Sequence, residues 1–249
     1  MKGLLARKKD VLFSLPSWIA AAEHTPAFSV KLTTTALAIG GALERADSLL
    51  ATKRRKEVDV FNLLADLVQL EGELNNWLIE YYELTGGEGA PYQLVPISRY
   101  PSFEKHCQGV AHVVPKVFDF PTFLSATTHA YVWVCLLPVR DAIVQVAKLH
   151  PYPLLRPSNQ DAILTEAANE TADNLCQSVA FLSSAESSSA GILACGGPLH
   201  FASTWYERRQ DQEKYVWCDV VRKSLQQNVT TESVFSLNLH VPVLTWWML

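Results

Sequence analysis

Between residues 57 and 84 the apolar positions Val60, Leu63, Leu64, Leu67, Leu70, Leu74, Trp77, Leu78 and Tyr81 recur every three or four residues. That spacing lays one stripe along an α-helix. The run Thr85-Gly86-Gly87-Glu88-Gly89-Ala90-Pro91 predicts its end, because glycine supplies left-handed backbone and Pro91 cannot continue a helix. A second helix is predicted over about 122–150, with Phe120-Pro121 just before its first turn and Pro151-Tyr152-Pro153 as the stop. Pro138 lies inside it and predicts a kink near Cys135, or two abutting helices.

The remaining segments show weaker periodicity. Residues 29–50 carry Val30, Leu32, Leu37, Ile39, Leu43, Ala46 and Leu50, a third helix followed by the charged connector 52–57. Residues 92–119, with Pro96, Pro101 and Pro115 among scattered aromatics, read as a loop packed by its own side chains, with short helical turns. The run Ser158-Asn159-Gln160-Asp161 is a good cap for a helix to residue 182, with Ile163, Ala167, Thr171, Leu175 and Phe181 on or near one face. A solvated serine tract, 183–189, precedes Gly196-Gly197-Pro198, a turn into an amphipathic helix or helix pair over 198–227. Residues 234–249 are apolar enough to dock on the core. With neither a βαβ alternation nor an internal repeat, the fold class is all-α: one irregular helical bundle of about six to eight helices over 1–249.

Composition narrows the function. The 249 residues are 49% hydrophobic and 18% charged, and 21 basic against 25 acidic residues give a net charge of −4. Disorder and low-complexity classes are excluded. The acidic balance also lacks the basic patch that carries non-specific nucleic-acid binding, so direct DNA contact is not expected. The sequence shows neither a secretory signal nor an apolar run long enough to span a bilayer, which predicts an intracellular protein: cytoplasmic, or nuclear if it regulates genes. Asn169-Glu170-Thr171 and Asn228-Val229-Thr230 then match glycosylation sequons by coincidence. Five cysteines, Cys107, Cys135, Cys176, Cys195 and Cys218, lack zinc-knuckle spacing and read as buried free thiols, with no metal site.

The order of these pieces carries a resemblance. Pro16-Ser17-Trp18 precedes a helix and a charged connector, and the leucine-rich helix ends in Leu74-Asn75-Asn76-Trp77. A proline-rich loop leads to Phe120-Pro121-Thr122-Phe123 and a helix with Ala126, Ala130 and Trp133. Then come Cys176-Gln177-Ser178-Val179-Ala180-Phe181, Gly197-Pro198-Leu199-His200-Phe201-Ala202 and Trp217. This order resembles the C-terminal half of the regulatory domain of fungal zinc-cluster transcription factors. The six-cysteine zinc cluster, basic linker and coiled coil of that family's DNA-binding members have no counterpart here. The resemblance implies a helical domain that regulates through partners or metabolite sensing. Stand-alone fungal biosynthetic proteins of comparable simplicity, which rearrange epoxides of quinolone alkaloids by acid catalysis, offer a likeness of type only.

No nucleophile elbow, phosphate loop, dinucleotide fingerprint or His-Glu metal motif occurs, so no cofactor is indicated. Acid–base chemistry in a helical pocket is what remains. Ser125, His129, Trp133, Leu136 and Arg140 share a stripe on the second long helix. A titratable His beside an aromatic face suits proton donation to an epoxide or alkene, with the ring stabilising a developing cation. The competing reading packs His129 in the core and pairs Arg140 with Asp141 or a neighbouring helix. Glu71, bordering the leucine stripe, is a second proton donor if burial raises its pKa, and His200, in a helix's first turn, is a third, better suited as a base. Trp133, Arg140, Trp77 and Tyr81 are the substrate-contact candidates.

Two functions follow, the first preferred, beside a third reading as a truncated remnant without activity of its own. One is a cofactor-free isomerase or cyclase of fungal secondary metabolism, taking an apolar small molecule such as an epoxide. The other is a regulator of a fungal gene cluster without a DNA-binding domain of its own, acting through a homodimer, another helical partner or a sensed metabolite. Neither involves a membrane.

Overall fold

The computed structural model describes residues 27–84, 90–149, 159–184 and 188–227. Expectations for Pro16-Ser17-Trp18, the glycines of 85–89, the segment 151–158, the middle of the serine tract, Asn228 and the tail 234–249 lie outside those residues. The fold is all-α apart from one short two-stranded ribbon. In order the elements are α1 (Ala27–Ala51), α2 (Glu57–Leu84), β1 (Gln93–Pro96), α3 (Pro101–Glu104), β2 (Lys116–Asp119), α4 (Phe123–Ala147), α5 (Gln160–Ser184), α6 (Ser188–Ala194), α7 (Gly196–Arg209) and α8 (Gln212–Gln227). Short 3-10 turns at Ile97–Arg99 and Lys105–Cys107 flank α3. The described chain divides into two compact units, and the division falls inside α2, α4 and α5.

The first unit takes residues 27–81, 135–149 and 159–169. Helix α2 buries Val60, Leu63, Leu67, Leu70, Leu74 and Trp77, the predicted stripe. Helix α1 buries Thr35, Ile39, Ala42, Leu43 and Ala46 at helical spacing. Three cross-helix contacts align the pair: Lys31 with Glu80 at 2.6 Å, Thr35 with Glu73 at 3.1 Å and Arg45 with Asp66 at 2.8 Å. Partners descend on α2 as they ascend on α1, so the two helices run antiparallel. The connector between them is held by Arg55, whose guanidinium donates to the carbonyls of Leu49 and Leu50 at the end of α1. The second half of α4 adds Leu136, Val139, Ile143 and Val146 to this core. Ile163, expected near the buried face of α5, is 57% exposed, while Ala168 is buried.

The second unit takes residues 82–134 and 170 onward. The proline-rich region contains its expected helical turns and also an antiparallel strand pair, with Leu94 opposite Phe118 and Val95 opposite Val117. The ribbon corrects the reading of 92–119 as loop alone. Leu94-Val95 and Val117-Phe118 favour a pleated surface, but each strand is four residues long and bounded by proline, which hides the alternation that signals a strand. Helix α4 begins with Thr122 Oγ1 accepting from the Ser125 N–H at 3.0 Å, a side-chain cap. It then runs unbroken through Pro138 as a single helix, rather than the two abutting helices offered as one alternative. Helix α4 is long and apolar enough to cross a membrane by length and composition, but 83% of its apolar window is buried in the fold, which is how a core helix looks.

The serine tract is helical at both described ends: α5 extends through Ser184 and α6 starts at Ser188. At Gly191 an added Cβ would lie 2.2 Å from the Leu182 carbonyl oxygen, so only glycine lets α6 approach α5 this closely. The segment 198–227 forms a helix pair. Gln210 adopts left-handed backbone at φ 59, its N–H donating to Glu207 O while the Asp211 N–H donates to Tyr206 O. That double closure ends α7. Asp211 Oδ1 then accepts from the Lys214 N–H at 3.2 Å and caps α8.

Candidate functional site

His129 sits in the second unit, 5% exposed, on the first half of α4. The strand pair and the residues that adjoin it place Tyr92, Phe118 and Phe120 over this face. The His129 ring lies 5.6 Å from Tyr92 edge-on, 5.7 Å from Phe120 and 5.6 Å from Trp133. Tyr92 also packs on Phe118 at 4.2 Å, and Phe120 on Phe181 of α5 at 5.5 Å. His129 Nδ1 stands 2.8 Å from the Ser125 carbonyl oxygen one turn earlier. A carbonyl oxygen only accepts, so Nδ1 carries the hydrogen and the neutral ring keeps its lone pair on Nε2. Burial lowers the imidazole pKa, partly opposed by that hydrogen bond. At neutral pH the arrangement therefore presents a proton acceptor inside an aromatic enclosure.

The other candidates separate by unit. Glu71, Arg140, Trp77 and Tyr81 belong to the first. Arg140 Nε donates to Glu71 Oε1 at 2.6 Å and Arg140 Nη1 to the Ala167 carbonyl at 2.8 Å, so one guanidinium ties α2, α4 and α5 together. Both partners of the pair are about one-fifth exposed or less, and a largely desolvated Arg held by a carboxylate and a carbonyl is a structural clasp. Trp77 and Tyr81 stack at 5.4 Å with 8° between ring planes, one turn apart on α2. Trp133 stays with His129 in the second unit.

His200, also in the second unit, is exposed on the first turns of α7. Its ring touches Phe201 at 5.5 Å. Partial desolvation and the Arg222 charge lower its pKa. The stripe from His129 to Arg140 thus has its two ends in different units, the first packed with aromatics and the second with the clasp.

Sequence reasoning missed Tyr92, Phe118 and Phe120, whose roles depend on a strand pairing across twenty residues of chain. It also missed a polar cluster between α5, α7 and α8. Tyr206, 2% exposed, donates to Asp173 Oδ1 at 2.6 Å, and Lys214 Nζ reaches the same oxygen at 2.5 Å. Cys176 Sγ lies 3.8 Å from the Tyr206 hydroxyl and 3.6 Å from Cys218 Sγ. Burial and the nearby acceptors raise the Tyr206 pKa far above its ordinary range, and hydrogen bonding to Cys176 with burial raises that of Cys218. All five cysteines are buried free thiols, and burial pushes Cys107 up to about 12. Thiols so disposed are unreactive packing groups.

Thr171, the acceptor-defining residue of the sequon at Asn169, is fully buried in α5. Among the described residues no group of three or more His, Cys, Asp or Glu side chains is placed to hold a metal ion. No family model matches the chain, and neither a curated protein nor a solved structure matches it.

Proposed function

We propose that this chain is a regulatory helical domain without catalysis of its own, a regulator of a fungal gene cluster that works through protein partners. One observation carries the reading: the proton-handling groups expected in a catalytic pocket serve the fold or face solvent. Glu71 is bound to Arg140, His129 is hydrogen-bonded within its own helix and walled by aromatic rings, and His200 is exposed. General acid catalysis asks for a protonated group aimed at substrate. The order of helix-packing residues, which resembles fungal zinc-cluster regulatory domains, supports the same reading. The 249 residues contain no cluster of six closely spaced cysteines, and in this reading protein partners supply the contact with DNA.

A second reading, the cofactor-free isomerase or cyclase acting on an apolar substrate such as an epoxide, is favoured by one feature. His129 is a neutral base buried against Trp133, whose face would stabilise cationic character. In that reading His129 takes a proton from solvent and passes it to the epoxide oxygen as a C–O bond breaks, and Tyr92 and Trp133 contact the substrate.

The test is a metabolite survey of cells lacking this chain, with transcripts of the affected gene cluster measured alongside. The regulatory reading expects the product family and its transcripts to fall together. Accumulation of a single intermediate with unchanged transcripts, and its cofactor-free conversion by the purified chain but not by His129→Gln, would establish the enzyme instead.

A further inference from the structure

Helix α2 has a second apolar face, nearly opposite the buried one. Val58 is 55% exposed, Val68 52% and Ile79 57%, and between them lies Phe61, 44% exposed and already in contact within the chain. With Ala65, Gly72 and Asn75 these positions run at steps of three and four, the heptad seam by which two helices pair side by side. Among the described residues no contact explains Gly72, since a Cβ there would meet nothing within 4 Å. A mid-helix glycine is less favourable than alanine, and it permits close approach of another backbone.

We infer that this face pairs with the same face of a second copy of the chain, with the two α2 helices antiparallel about an axis between Val68 and Gln69. In that orientation Val58, Ala65, Gly72 and Ile79 map onto one another, as a two-fold interface requires. Val58 meets the partner's Ile79, Ala65 meets the partner's Gly72, and Val68 lies beside its own copy. The small residues coincide, so the helices close tightly at two symmetric points. The flanking Asn62, Gln69 and Asn76 meet one another as uncharged amides.

Charge favours the same orientation. The exposed connector residues Lys53, Arg54 and Lys56, just before α2, come alongside the partner's exposed Glu83 at the far end. Glu57 falls near the partner's Glu80, whose charge Lys31 already balances at 2.6 Å. A parallel pair would instead set four basic residues against four, with the helix dipoles side by side. The inference rests on α2 alone and holds under either function.

The test uses the full chain in sedimentation velocity at rising concentration, with cysteine variants oxidised in parallel. The native cysteines are buried, so introduced thiols dominate cross-linking. The expected results are a dimer, disulfide-linked chains from Val68→Cys and none from Val58→Cys, and a dissociation constant raised about tenfold or more by Val68→Glu, with unchanged circular dichroism. Self-cross-linking through Val58→Cys would mean a parallel pair and overturn the geometry. A monomer at every concentration overturns the inference: slow thiol labelling of Val68→Cys would then mean that another segment of this chain covers the face, and fast labelling that a different protein does. A dimer indifferent to Val68→Glu overturns it as well.

Discussion

His129 is held neutral by its surroundings, and this has a pH consequence of definite sign. Its folded pKa is depressed below the ordinary imidazole value of about 6.5 by desolvation, as are those of His106 and His200. The unfolded chain therefore takes up protons first, so the stabilising contribution is complete above about pH 6.5 and is lost as pH falls. Urea denaturation at pH 7 and pH 5 should show this loss, and His129→Gln should reduce it; an unchanged loss in the variant would show that His129 is not among the groups responsible. Glu71→Ala removes a 2.6 Å ion pair from the largely buried Arg140 guanidinium, and should cost about 1.5–3 kcal/mol in the same assay. A cost near zero would mean that water replaces the carboxylate. At this scale the sequence revealed residue types and helical phase, enough to place His129 beside Trp133. That Arg140 reaches Glu71 rather than Asp141 depends on which helix lies alongside, and local spacing does not carry that.

Elements were legible in proportion to their length and period. Helix α2 was read directly, because nine apolar positions in one phase leave no competing structure. Helices α1, α4 and α5 were placed to within a few residues at their described ends. The ribbon β1–β2 was missed, since its stability lies in cross-strand pairing and in the aromatic rings packed behind it. The sequence leaves the break between α7 and α8 open, because nothing in Arg209-Gln210-Asp211 demands a left-handed residue; the geometry installs one regardless. Gln210→Gly should therefore stabilise the chain by about 1 kcal/mol, read as a higher melting temperature; a lower one would mean that the Gln210 side chain contributes more than its backbone costs. Gly191→Ala should destabilise by about 1–3 kcal/mol, because the methyl group meets the Leu182 carbonyl and α6 must shift. A neutral result there would mean that α6 moves freely against α5.

At the scale of the whole molecule, an antiparallel dimer through α2 couples folding to association. Its melting temperature should rise with protein concentration, because mass action favours the folded partners, and Val68→Glu should remove that dependence while leaving the dilute-limit value nearly unchanged. A wild-type melting temperature constant across concentrations would count against the coupling. The sequence by itself determined the all-α class and the long helices, since helical period and proline or glycine stops act over a few residues and need no partner. It also held both apolar stripes of α2, although only burial by α1 and α4 shows which faces inward. The tertiary structure alone decided that His129 is walled by Tyr92, Phe120 and Trp133 and that Glu71 is bound to Arg140. Those environments are built by residues distant in sequence, and pKa and hydrogen bonding follow the environment rather than the residue type.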